Sequence, residues 1–164
     1  MMRSGYISIF GAVLLVLLFA EKAYPQRLQD WIKLGDISLR ENDPYGALRY
    51  YTRAMEIDST KGEVLYKYAE ALRHNHNYEK SAHYYLQVYR RERGVIYPYS
   101  GFWLAAMQMQ AGNYREAKQN WRRVRNQFKN NPESYAYKKA VPLSVFPANL
   151  MKSQSIESMN RWKR

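Results

Sequence analysis

Three histidines and a few carboxylates are the side chains best equipped here for metal or acid–base chemistry. His74 and His76 flank Asn75, and His83 follows on the next helical stretch. No third ligand is spaced to meet the first two, so they read as turn and surface histidines, and no metal is expected. Asp36, Glu63 and Glu70 fall at positions that a stacked helical array turns into a groove, where carboxylates serve recognition before proton transfer. The chain has no Gly-x-Ser-x-Gly elbow, no phosphate loop and no His-Glu-x-x-His helix. It also has no cysteine, which excludes disulfides, thiolate sites, cysteine nucleophiles and a lipidated N-terminal cysteine. The expectation is a non-enzymatic protein with no cofactor and no small-molecule substrate.

What remains is the chemistry of surfaces, which depends on the elements that position them. The stretch Asn113-Tyr114-Arg115-Glu116-Ala117, followed by Trp121 and Val124, is the third copy of a pattern. The second is Asn77-Tyr78-Glu79-Lys80-Ser81 with Tyr85 and Val88, and the first is Asp43-Pro44-Tyr45-Gly46-Ala47 with Tyr51 and Ala54. Each copy sets a small residue, an aromatic and a small or branched residue along one helical stripe. The small residues lie 34 apart (Ala47 to Ser81) and then 36 apart (Ser81 to Ala117). A period of ~34 in helix pairs is the tetratricopeptide spacing.

In register with the first copy, Trp31-x-x-Leu34-Gly35 supplies the matching first helix, over about 27–40. Asp43 can cap the next helix, and Pro44 suits its first position because the N–H it lacks had no partner there. Gly35 and Ala47 are expected to face each other where the two helices cross, so neither can be large. The second repeat runs over about 62–95. In it Ser81 replaces the usual alanine, its hydroxyl expected to bond back to the carbonyl four residues earlier. Arg90-Arg91-Glu92-Arg93-Gly94 reads as a helix end, with cations at the negative end of the dipole and glycine for a left-handed cap. The third repeat covers about 98–131, and Asn131-Pro132 opens a capping helix over 133–140. The fold predicted is all-α: a right-handed solenoid of about three tetratricopeptide helix pairs with a short capping helix, preceded by a hydrophobic signal helix. Its segments are a leader over 1–23, a repeat domain over 27–140 and a poorly ordered basic tail over 141–164.

The leader follows from Arg3 and the apolar run Ile7 to Ala20, long enough for a signal core and short of a bilayer span. Export to the periplasm or outer membrane is the expectation, with inner-membrane anchoring if the leader is retained. A net charge of +12 favours anionic partners. Export argues against nucleic acid, and the charge does not choose among phosphate, lipopolysaccharide, anionic lipid and an acidic protein. The groove positions of the first helices select Ile32, Asp36 and Arg40, then Tyr66, Glu70 and Arg73, then Tyr99, Phe102 and Met109, as a site for a segment of a partner protein. The alternative for the aromatic end of this set is packing against the capping helix or tail. A basic face over Arg115, Lys118, Arg122, Arg125 and Lys129 is the candidate lipid or acidic-partner surface. A solvated outer face is its bland reading.

Two stretches carry a further likeness: Leu65-Tyr66-Lys67-Tyr68-Ala69-Glu70-Ala71-Leu72-Arg73 with Asn77-Tyr78-Glu79-Lys80-Ser81-Ala82, and Phe102-Trp103-Leu104-Ala105 with Gly112-Asn113-Tyr114-Arg115-Glu116-Ala117-Lys118. They resemble the N-terminal repeat region of exported proteins that continue into a β-propeller and an OmpA-like peptidoglycan-binding domain, some of them in gliding motility and type IX secretion. The resemblance covers about 27–140 and implies a truncated envelope scaffold whose partner is another envelope protein. The propeller, the peptidoglycan-binding domain and the lipidated cysteine of the secretion type have no counterpart here, so peptidoglycan binding is carried to no residue.

Overall fold

Each small-aromatic-small stripe becomes the buried seam of a helix pair, and the pairs stack in chain order. The computed structural model describes residues 28–145 and residue 147. The expected leader, and the tail beyond Val145 except Pro147, lie outside these residues. Helix α1 covers 28–40. It is followed by α2 (Pro44–Ile57), α3 (Gly62–His74), α4 (Tyr78–Glu92), α5 (Ser100–Gln110), α6 (Tyr114–Gln127) and α7 (Tyr135–Val145). No strand occurs among the described residues. From α2 onward each helix packs on the next, and α1 joins through Leu28 and Ile32, which cluster with Ala54 and Val64. This is a helical-repeat, solenoid-like arrangement.

The local signals act as their chemistry requires. Asp43 Oδ1 accepts from the Gly46 N–H at 2.8 Å, with Pro44 in the first turn of α2. The Asn77 side chain caps α4. Tyr51, Tyr85 and Trp121 are fully buried and fill the three seams. Each such side chain contributes about 1.5–3 kcal/mol by leaving water.

Several positions differ in detail from the expectation. Gly35 is held small by Tyr51: a Cβ there would lie 2.6 Å from Tyr51 Cζ. Ser81 Oγ does not return to its own helix. It donates across the seam to the Ala69 carbonyl of α3 at 2.9 Å, because the small pair brings the backbones that close. Leu34 is 39 % exposed, while Leu28, Ile32 and Gly35 of α1 face inward. The capping helix begins at Tyr135 and continues through Pro142 to Val145, with Leu143 and Ser144 buried, so the boundary drawn at residue 141 falls inside it. The proline is accommodated within the helix, though its ring removes one backbone donor.

Gly35→Ala is expected to destabilise the protein by about 1–3 kcal/mol through overpacking. An exposed helical glycine would give the opposite sign, since alanine there gains about 0.5–1 kcal/mol. Denaturant melts of the two proteins read that sign.

Candidate functional site

The first helices of successive pairs, α1, α3 and α5, share a half-exposed face tied by cross-helix contacts. Lys67 Nζ reaches Asp36 Oδ1 at 2.6 Å, joining α3 to α1. Gln29 Nε2 donates to Glu63 Oε2 at 3.4 Å between the same helices. Farther along, Arg73 NH2 donates to Glu70 Oε2 at 2.7 Å, and its guanidinium lies 4.1 Å from the centre of the Trp103 ring, joining α3 to α5. Tyr66 stacks on Tyr97 with ring centres 4.5 Å apart.

The second helices support this row from below. The Tyr51 hydroxyl donates to Asp36 Oδ1 at 2.5 Å, and the Tyr85 hydroxyl donates to Glu70 Oε1. Both spans are fifteen residues, so two successive repeats build the same pair of seam phenol and surface carboxylate. The third repeat breaks the rule. Trp121 stands in the aromatic position, Ala106 in the carboxylate position, and the buried indole Nε1 has no hydrogen-bond partner among the described residues.

The sequence-selected groove residues therefore divide. Asp36, Tyr66, Glu70 and Arg73 belong to the ladder. Arg40 and Tyr99 are exposed, Tyr99 by 43 %. Ile32, Phe102 and Met109 are core and are withdrawn from the site. Phe102 and Met109 cluster with Ala136, Ala140 and Leu143 of α7, which is the alternative of self-packing against the capping helix. Lys67, Trp103 and Tyr97 were missed. The recurrence of an acid on one helix fifteen residues before an aromatic on the next was the signal available for the Tyr51 and Tyr85 pairs.

On the basic face, Arg122 Nε donates to the Ser144 carbonyl at 3.2 Å and Arg125 NH1 to Ser144 Oγ at 3.1 Å. These two cations hold the last turn of α7, where a helix end is negative. Arg115, Lys118 and Lys129 are unpaired among the described residues.

The histidines do not converge. His76 Nδ1 meets the Tyr78 hydroxyl at 2.8 Å, and His83 meets Gln87 at 2.8 Å. Burial, and then the adjacent Arg73 charge, lower the His74 pKa. No cluster able to hold a metal ion occurs among the described residues.

Burial, followed by the Glu70 charge, raises the Tyr66 phenol from its ordinary value of 10.0 to about 12. Burial and the neighbouring carboxylates push Tyr51 and Tyr85 upward as well. A phenol whose folded pKa is raised keeps its proton after the unfolded chain has released its own. Its contribution is thus complete below pH 10 and is lost as pH rises towards about 12. Tyrosinate absorbance is expected to appear in two phases, the later one coinciding with loss of helical circular dichroism. A single phase near the ordinary phenol value would contradict the seam pairs.

No family model matches the chain, and a comparison with curated proteins found no match. The tetratricopeptide spacing and the likeness to envelope proteins rest on the residues named above.

Proposed function

We propose that the chain is a non-enzymatic protein–protein interaction scaffold of the bacterial cell envelope, a tetratricopeptide-type array that holds a partner segment against the face built by α1, α3 and α5. The observation behind this reading is the ladder from Asp36 and Lys67 to Glu70, Arg73 and Trp103. Its charges are oriented before a partner arrives, so less side-chain freedom is lost on binding. Arginine, tyrosine and tryptophan at half-burial are the residue types that dominate interface energies.

The envelope location rests on Arg3 and the apolar run Ile7 to Ala20. Among the described residues no helix is long and apolar enough to cross a membrane. The second reading, a membrane-anchored assembly factor using its basic face on anionic lipid, retains Arg115, Lys118 and Lys129 as its cations.

The groove is tested by placing a photo-crosslinking residue at Gln29 or Arg40 on the inner face, and at Lys80 or Glu116 outside. A partner captured only from the inner positions, with yield lowered about tenfold or more by Arg73→Ala, is the expected result. The same proteins captured from both faces would remove the groove from the account.

A further inference from the structure

The second repeat interval exceeds the first, and the main local difference is a connection three residues longer. The connection between α2 and α3 is residues 58–61, whereas that between α4 and α5 is the longer stretch 93–99. In the longer connection Arg93 and Gly94 both take positive φ, 46° and 77°. Two successive left-handed residues make a tight turn at the end of α4. Gln127 of α6 braces the base of the loop by donating to the Pro98 carbonyl at 3.0 Å.

At the tip stand Val95 and Ile96, 82 % and 62 % exposed. The other inter-helix connections through residue 113 are made largely of Asp, Asn, Ser, Thr, Lys, His and Gly. An insertion that presents two adjacent β-branched aliphatics to water runs against the ordinary solvation of a loop. Arg90, Arg91 and Arg93 beside it are exposed and unpaired among the described residues. Cations at the end of α4 are explained by the helix dipole alone, but the dipole does not account for the aliphatic pair.

We propose that the α4–α5 loop is a membrane-contact tip: Val95 and Ile96 enter the headgroup–acyl boundary of an anionic bilayer while Arg90, Arg91 and Arg93 engage its phosphates. Apolar insertion flanked by guanidinium groups is the composition that binds such interfaces, and the attraction requires negative lipid. Tyr97 ties the foot of the loop to Tyr66 of the α1, α3 and α5 face, but Val95, Ile96 and the three arginines are no part of the groove reading, and the proposal does not depend on it.

Because the chain has no cysteine, a single one can be introduced and labelled uniquely. The full chain carrying Ile96→Cys, labelled with an environment-sensitive fluorophore, is mixed with phosphatidylcholine vesicles with or without phosphatidylglycerol. Glu79→Cys, exposed at the other end of α4, is the control. The expected result is a blue shift at position 96 with anionic vesicles, none with pure phosphatidylcholine, and none at position 79. Replacing the three arginines by alanine should raise the lipid concentration for half-maximal shift about tenfold or more. Position-specific readout separates tip insertion from anchoring through the apolar N-terminal segment. No shift at 96, an equal shift at 79, or an equal shift on uncharged vesicles would overturn the proposal. So would a shift that grows with protein concentration without lipid, which would assign the tip to a contact between copies.

Discussion

Ala47→Glu is expected to abolish the cooperative folding transition. Ala47 is fully buried among Tyr51, Ala71, Leu39, Leu48 and Tyr68, and no side chain in that cluster carries a positive charge. An ionised carboxylate there has no partner, and breaking or omitting one half of a buried pair costs about 3–5 kcal/mol. The larger side chain must also part α2 from α3, adding an overpacking cost of about 1–3 kcal/mol. Their sum is comparable with the whole stability of a small domain, about 5–15 kcal/mol. A thermal or urea melt followed by circular dichroism checks this. A transition unchanged from the parent would mean that Ala47 does not lie in a seam.

Trp121→Ala should be nearly as severe, at about 3–5 kcal/mol. Its ring packs edge-on to Phe102, with centroids 5.1 Å apart, and its cluster draws on α5, α6 and α7 together. Truncation opens a cavity where three helices meet, and the capping helix has the most to lose. Trp121→Phe separates shape from polarity. It removes an indole N–H that has no partner, so part of the lost packing is offset by relief from a buried unsatisfied donor, which costs about 1–3 kcal/mol. The phenylalanine variant is therefore expected to lie within about 1.5 kcal/mol of the parent, as measured by denaturant midpoint. Equal losses for both variants would contradict the cavity account.

The repeat spacing was legible because it is imposed by helix geometry. Ala47, Ser81 and Ala117 are all fully buried, as a residue trapped between two backbones must be. The site was less legible, because a repeat template assigns positions to a face without saying how far the next helix covers it. Ile32, Phe102 and Met109 satisfied the template, yet α2 and α3 cover the first and α7 covers the other two. Lys67 and Trp103 went unnoticed because their roles arise between repeats. Each is defined by a partner about thirty residues away in sequence, Asp36 in one case and Arg73 in the other. The turn of Ser81 towards α3 was hidden for the same reason: its own helix offered a plausible acceptor, and only the closeness of the packed pair decided between the two.

In a stack whose stability lies in the interfaces, interior helices have neighbours on both sides and end helices on one. Hydrogen exchange of the intact chain, read helix by helix, tests that statement most directly. Among the described residues, where α1 and α7 stand at the ends, the slowest amides are expected in α3 to α6, faster exchange in α1 and α7, and the fastest in the connections at 58–61 and 93–99. Exchange in α3 to α6 as rapid as in those connections would contradict it, and the recognition face assigned to the stack would lose its support.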